Sequence, residues 1–267
     1  MILGLKDKKC NWIEKLLKRN NEKFIDLAND NLLILSDDKK MSFNNLFLGI
    51  LSSTLKTVLI TNETTLNELN KFENIKNQQT KLNNKINICL NNIDFKKYGV
   101  NSINKILSSL EITNEMLLKS SLISIIYDSK IKNSEIFENN IYSPFINYFL
   151  WYLSQLQNKK ILVAIDNFYH ENFMNGINVL KDYNFKFIYS LNYNNFLELQ
   201  QYSFLELFNL ISFKDEINYD LCLIKLGIKN FKIIKNNLND EFYVFNKRDN
   251  SCFLLKEFPF LKLYKWG

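Results

Sequence analysis

The stretch KKILVAID, residues 159–166, holds an unbroken apolar run that begins at Ile161 and ends in Asp166. Such a run is typical of a β-strand that is buried on both faces. A helical pattern over Glu171–Tyr183 and a second apolar run over Phe185–Leu191 follow it. Strand, helix and strand at this spacing predict a βαβ unit, so we predict an α/β fold with a parallel sheet.

Further strands are predicted on both sides of this unit. Leu32–Leu35 is typical of a short strand that ends in the turn Ser36–Asp38, and Leu46–Leu51 predicts a second strand. Leu205–Phe213 predicts another. Near the end of the chain, two apolar segments flank the polar stretch Lys247–Asn250, which is the pattern of a β-hairpin. The two segments are Phe242–Phe245 and Cys252–Leu255.

The middle of the chain has a different pattern, because apolar residues recur there at helical intervals among Asn, Lys and Glu. Gly99 marks a break in this pattern. Pro144 fits the first turn of a helix that continues to Leu153. The aromatic stripe of that helix favours core packing over a stacking platform for bases. The apolar positions that suggest helices earlier in this region are Leu66, Leu69, Phe72, Ile75, Leu82, Ile86 and Leu90.

These patterns predict two domains. Residues 1–63 and 159–267 would form an α/β head with a parallel sheet, and residues 64–158 would form an inserted α-helical leg. The 267 residues are 46% hydrophobic and 14% aromatic, which is enough to build a packed core.

The net charge is +6, and nearly all the basic residues are lysines. A basic surface suits an anionic partner such as nucleic acid, but solvated lysines on a Lys-biased surface explain the same charge. The four cysteines are widely scattered and show no metal-ligand spacing, so we expect reduced thiols. No apolar run approaches the roughly 18 residues that cross a bilayer. We therefore expect a cytoplasmic protein.

A phosphate-binding loop is missing from the sequence. None of the six glycines stands in a G-x-x-x-x-G-K frame, which such a loop needs for its backbone to approach phosphates. What remains is the apolar strand ending in Asp166, which has the form of the Mg²⁺-associated acidic strand of P-loop enzymes. The alternative is that Asp166 starts a turn. His170 is the sole histidine, and as a loop residue it is either a general base or a solvated side chain.

Lysines in the predicted leg are candidates for contacts to a phosphate backbone. Contacts of this kind would add affinity without sequence preference. The alternative is again a solvated face. The candidate DNA-binding residues are Lys71, Lys76, Lys81, Lys85, Lys96 and Lys97.

Three segments resemble one known family. Leu33–Phe43 is similar to that family's first strand, Asp-containing turn and second strand, and Cys89–Asp94 followed by Ile103–Leu110 is similar to the helix-loop-helix of its leg. The third and best match is Lys159–Asn167 with Phe185–Ser190. On these segments the chain resembles the type II-A CRISPR adaptation proteins, which form rings during spacer acquisition.

The resemblance implies a head related to a degenerate P-loop core and an inserted helical leg. It also implies a homotetrameric ring that encircles double-stranded DNA ends without catalysis, so that the protein is not an enzyme. Its partners would be the CRISPR integrase proteins and the effector nuclease, with no membrane.

Two departures from that family affect the implied site. Family members bind calcium through an acidic cluster in the leg, and here the matching stretch Asn91–Tyr98 keeps only Asp94. Calcium takes about six to eight oxygen ligands, so we expect weak or absent calcium binding, with Lys96 and Lys97 occupying the space of the metal. No other cofactor is expected. The second departure is a C-terminal extension beyond about Asp215.

Two other functions compete with this one. The first is a diverged P-loop-like ATPase or nuclease subunit in which Asp166 holds a metal ion. The second is an interaction scaffold with no nucleic-acid role.

Overall fold

The computed structural model describes residues 2–6, 22–24, 30–76, 84–128, 141–199, 203–214, 219–228, 241–248 and 250–256. The chain divides into two compact units. Unit 1 comprises residues 1–53, 190–198 and 208–267, and unit 2 comprises residues 54–189 and 199–207.

Strands and helices alternate along most of the described chain. The strands are β1 (Ile2–Lys6), β2 (Glu22–Phe24), β3 (Leu32–Leu35), β4 (Lys56–Asn62), β5 (Lys85–Cys89), β6 (Leu122–Tyr127), β7 (Ile161–Asp166), β8 (Phe185–Leu191), β9 (Leu210–Phe213), β10 (Glu241–Asn246) and β11 (Ser251–Lys256). The helices are α1 (Lys39–Ser52), α2 (Glu63–Lys76), α3 (Phe95–Tyr98), α4 (Ile103–Ser109), α5 (Asn114–Lys119), α6 (Tyr142–Leu156), α7 (Glu171–Leu180), α8 (Tyr193–Glu198) and α9 (Tyr219–Lys225).

The sheet of unit 2 has the strand order β8, β7, β4, β6, β5. Strand β4 runs parallel to β7 on one side and to β6 on the other, with Ile60 opposite Ile165 and Asn62 opposite Tyr127. Strand β5 is parallel to β6. Every residue of β6 is buried, as expected for a parallel strand covered on both faces. The predicted α/β fold with a parallel sheet is confirmed.

Helix α6 packs against α7 and buries its aromatic stripe in unit 2. Pro144 lies in its first turn, where its missing N–H costs no hydrogen bond. Phe145 and Phe149 are fully buried, and their rings stack at a centroid distance of 6.0 Å. The stripe therefore belongs to the core, as the sequence indicates.

The sheet of unit 1 has the strand order β2, β1, β11, β10, β9, β3. Strands β3 and β9 are parallel, with Leu33 opposite Ile211, whereas each of the remaining neighbouring pairs is antiparallel. The predicted β-hairpin is confirmed as β10 and β11, in which Phe242 lies opposite Leu255. Asn250 adopts a φ of 52° just before β11, a left-handed conformation that Asn tolerates in turns.

One predicted strand is wrong. Leu46–Leu51 lies inside helix α1, which begins after the N-cap Asp38. Periodicity cannot separate a short apolar run in a strand from one in a buried helix, and here every residue from 41 to 50 is buried. The predicted strand over Leu205–Phe213 is shorter than expected, because a 3₁₀ helix at Ser203–Leu207 precedes β9.

The segment predicted as an α-helical leg, residues 64–158, also differs from the expectation. Helix α2 and the break at Gly99, which has a φ of 72°, are present. However, Ile86 lies on strand β5, and residues 122–127 form β6. The β-branched residues of these two segments pair with the sheet of unit 2, so this region contributes strands as well as helices. The head and leg boundaries stay a prediction.

Candidate functional site

Asp166, at the end of β7, accepts three hydrogen bonds at one carboxylate oxygen. Its Oδ2 atom lies 2.7 Å from the Thr65 hydroxyl, 3.1 Å from the Thr61 hydroxyl and 3.4 Å from the Asn62 side-chain amide. All four residues belong to unit 2. We call them the Asp166 cluster.

The cluster forms because two parallel strands end side by side. Strand β4 ends in Thr61 and Asn62, and β7 pairs with β4 so that both carboxyl ends lie at one edge of the sheet. The Asn62 side chain accepts a hydrogen bond of 3.0 Å from the Thr65 backbone N–H, which caps helix α2 and turns Thr65 toward the strand ends. The carboxyl edge of an open α/β sheet is the usual place for a ligand.

Two buried tyrosines hold the backbone that follows Asp166. The Tyr127 hydroxyl donates to the carbonyl of Asp166 and the Tyr189 hydroxyl to the carbonyl of Phe168, each at 2.7 Å. Burial raises the pKa of both phenols well above the usual value, and the charge of Asp166 raises the pKa of Tyr127 further. Between the two carbonyls, Asn167 adopts a φ of 48°. The loop after β7 is thus fixed by neutral hydroxyl donors.

His170 serves as a helix cap. It is the N-cap residue of α7, and its Nδ1 atom accepts a hydrogen bond of 3.3 Å from the backbone N–H of Asn172. This contact uses an unprotonated ring nitrogen, the atom that a general base would need. The geometry therefore favours a structural role for His170 over catalysis.

A second polar cluster lies in unit 1, at the junction between β3 and α1. Asp38 is the N-cap of α1, and its carboxylate also forms an ion pair of 2.6 Å with Lys214. Asp37 accepts a hydrogen bond of 3.0 Å from the backbone N–H of Tyr193. Burial raises the pKa of Asp38, but Lys214 and the helix amides lower it more, so the pKa is below its usual value.

The two clusters differ in the chemical groups that they present. The Asp166 cluster offers a carboxylate and two hydroxyls, the oxygen ligands that Mg²⁺ prefers directly or through its bound waters. At the junction of β3 and α1, the loop Ser36–Asp38 contains no glycine, and the Asp38 carboxylate lies at the helix N-terminus.

The predicted DNA-binding lysines occupy several elements. Lys71 and Lys76 lie on α2, whereas Lys81 lies outside the described residues. Lys85 is exposed on β5, where its ammonium group donates to the Asn70 side chain at 2.9 Å. Lys96 and Lys97 are exposed on α3, and the Lys97 ammonium lies 5.2 Å from the centroid of the Tyr98 ring.

Asp94, the predicted remnant of a calcium site, caps α3. Its Oδ1 atom accepts a hydrogen bond of 3.0 Å from the backbone N–H of Lys97. Within the described residues, His, Cys, Asp and Glu side chains form no group of three or more that could hold a metal ion. Weak or absent calcium binding at Asp94 stays a prediction.

Several residues in or beside the two clusters cannot be predicted from the sequence. Thr61, Thr65 and Tyr127 come from three separate elements, and Lys214 lies far along the chain from Asp38. A partial signal exists for Thr65, because Asn62 follows a β-branched run and precedes a helical pattern, which is the signature of a helix N-cap.

Comparisons with known proteins bear on the fold. No protein-family profile and no curated protein matches this chain. Among solved structures, VirB4 of Thermoanaerobacter pseudethanolicus is similar with a TM-score of 0.60 at 12% identity, covering 98% of this chain and 97% of VirB4. The fold of the chain is therefore similar to that of VirB4.

Two other structures are less similar. The genome packaging NTPase B204 of Sulfolobus turreted icosahedral virus 2 gives a TM-score of 0.45 at 10% identity, covering 86% of this chain and 98% of B204. The type VII secretion ATPase EccC of Thermomonospora curvata gives 0.48 at 10% identity, covering all of this chain and 26% of the EccC chain.

The prediction that the protein is not an enzyme is contradicted, because the chain has a fold similar to that of VirB4 and not one that marks it as a non-catalytic protein. The likeness to the CRISPR adaptation family stays a prediction. Of the helices in the described ranges, none has both the length and the apolar composition that crossing a membrane requires.

Proposed function

We propose that this protein is a diverged ATPase-type subunit in which Asp166 serves a divalent metal ion. The observation that supports the proposal is the Asp166 cluster, where a carboxylate and two threonine hydroxyls meet at the carboxyl edge of a parallel sheet. The fold similar to that of VirB4 is a second support.

The contacts of Asp166 fit a role toward a hydrated metal ion. Mg²⁺ loses its waters reluctantly, so it is commonly held by one or two carboxylates together with waters and substrate phosphates. The hydrogen bonds from Thr61 and Thr65 fix the direction of the Asp166 carboxylate. The bonds from Tyr127 and Tyr189 fix the backbone on which it stands. When a metal is bound, it would neutralise charge on the transferred phosphoryl group.

The test is the variant Asp166→Asn, which keeps the shape of the side chain and removes its charge. We expect the Mg²⁺-dependent ATP hydrolysis of the full chain to fall about 10- to 100-fold, the usual loss when a group orienting a metal is removed. The assay would measure phosphate release across a range of Mg²⁺ concentrations. Loss of metal affinity would appear as a higher Mg²⁺ requirement.

Asp182→Asn is the matched control, because Asp182 is an exposed carboxylate in the turn after α7 of the same unit. It should leave the rate and the Mg²⁺ requirement unchanged. Equal activity of Asp166→Asn and the wild type would contradict the proposal, and so would a wild-type protein with no metal-dependent hydrolysis.

Nucleic acid is the partner class we propose for this subunit. The net charge of +6 and the exposed lysines Lys85, Lys96 and Lys97 support it. Lysines of this kind attract the phosphate backbone and carry no sequence information, so the proposed partner is duplex DNA of any sequence.

A further inference from the structure

The loop between β3 and α1 is short and closely bounded. Strand β3 ends at Leu35, whose side chain is fully buried, and helix α1 begins at Lys39. Two hydrogen bonds fix the conformation of the three residues between them. The Ser36 N–H donates to the carbonyl of Leu191 at 3.2 Å, and the Asp38 N–H donates to the Ser36 hydroxyl at 2.9 Å.

The Asp38 carboxylate brings together three groups that a phosphate site normally contains. Its Oδ1 atom accepts hydrogen bonds from the backbone N–H groups of Lys40 at 2.9 Å and Met41 at 3.3 Å. Its Oδ2 atom accepts one of 2.6 Å from the Lys214 ammonium. Helix N–H groups and a lysine are the components with which P-loop proteins hold phosphate.

Hydrogen bonds to the backbone of Lys214 fix the position of this lysine. The Tyr193 hydroxyl donates to the carbonyl of Lys214 at 2.6 Å and accepts from the Lys214 N–H at 3.2 Å. The backbone N–H of Tyr193 in turn donates a hydrogen bond to the Asp37 carboxylate. The side chains of Asp38 and Lys214 are only 28% and 19% exposed, so the ion pair is partly withdrawn from water. Such pairs are screened by salt less than surface pairs are.

We propose that the Asp38 carboxylate takes the place of a phosphate at the N-terminus of α1, with Lys214 as its counter-ion, and thereby keeps this junction closed to phosphate. A phosphate placed there would compete for the same two N–H groups and would lie beside a like charge. The inference goes beyond the proposed function of Asp166. It implies that this junction does not hold the phosphates of a nucleotide, as the strand-to-helix junction of P-loop proteins does.

The experiment titrates inorganic phosphate into ¹⁵N-labelled full-length protein and follows the amide signals of Lys40 and Met41. In the wild type we expect no saturable shift of either signal. The variant Asp38→Ser keeps a capping hydroxyl but removes the charge, so it should gain a saturable shift and bind phosphate at least tenfold more tightly. Adding Lys214→Met to that variant should abolish the gain.

Two outcomes would overturn the inference. One is a saturable phosphate shift at Lys40 and Met41 in the wild type, and the other is an Asp38→Ser variant that gains no phosphate binding. Asp38→Asn, which has nearly the same shape as Asp38, provides a second neutral variant if Asp38→Ser does not fold. Failure here would leave the proposal for Asp166 intact, because that proposal is measured by metal-dependent hydrolysis in a different variant.

Discussion

At the scale of single residues, Gly176 shows how closely two helices of unit 2 approach. A Cβ atom built on Gly176 of α7 would lie 1.9 Å from the side-chain amide nitrogen of Asn147 on α6. That nitrogen donates a hydrogen bond of 3.3 Å to the carbonyl of Asn172. A side chain at position 176 would therefore displace Asn147 from its bond, although alanine alone would favour the helix.

We predict that Gly176→Ala destabilises the protein by about 1 kcal/mol, because Asn147 must give up its hydrogen bond to Asn172. Urea unfolding would measure the loss. In an Asn147→Ala background the clash is absent, so the same substitution should be neutral or stabilise by up to about 1 kcal/mol through helix propensity. Equal effects of Gly176→Ala in both backgrounds would show that Asn147 is not the obstacle.

At the scale of one element, helix α1 depends on the charge state of its N-cap Asp38. The pKa of this carboxyl is below its usual value of 3.8, despite burial, because Lys214 and the amides of α1 stabilise the anion. A lowered pKa in the folded state adds stability above the unfolded-state value, and that stability is lost as the pH falls through the folded-state value. The helix cap is thus strongest at neutral pH.

We predict that Asp38→Asn lowers the free energy of unfolding at pH 7 by about 1 kcal/mol, since it keeps a cap but loses the ion pair. The difference from the wild type should shrink as the pH falls from 5 toward 2, where the wild-type carboxyl becomes protonated. Urea unfolding at several pH values would measure it, with Asp182→Asn as the control. A difference that does not change with pH would contradict the assignment.

Elements also differ in how far the sequence determines them. Ile161–Asp166 is predicted well because its apolar run follows two lysines, ends in an aspartate and precedes a helical pattern. The strand predicted over Leu46–Leu51 is wrong because a helix buried on all sides has the same composition as a buried strand. The helix that contains this segment begins after the cap at Asp38, eight residues earlier.

The candidate sites are also only partly predictable, because some of their contacts join distant parts of the sequence. Asp166 can be identified as a candidate from its strand alone, because a polar residue at the end of a buried apolar run must lie where the strand ends. Its partners Thr61 and Thr65 cannot, since they meet Asp166 only through the parallel pairing of β4 with β7. Likewise, Lys214 reaches Asp38 because β9 pairs with β3, a contact between distant parts of the sequence.

At the scale of the whole molecule, the positive charge is spread widely along the chain. The 34 basic and 28 acidic residues give a net charge of only +6. Among the exposed lysines, Lys96 and Lys97 are adjacent on α3, so they can contact neighbouring phosphates of one duplex. A surface of this kind predicts modest affinity that depends on salt and not on base sequence.

We predict that the full chain binds two unrelated short duplexes with equal affinity, and that this affinity falls as salt is raised. In Lys96→Gln/Lys97→Gln, the slope of log K against log salt should become shallower by about 0.9 for each lysine that contacts a phosphate. Fluorescence anisotropy at several salt concentrations would measure it. Lys181→Gln, at an exposed lysine just after α7, is the matched control and should keep the wild-type slope. An unchanged slope in the double variant would exclude α3 from the interface. Each phosphate contact that is lost leaves its counterions on the DNA, so the salt dependence of binding would have to weaken.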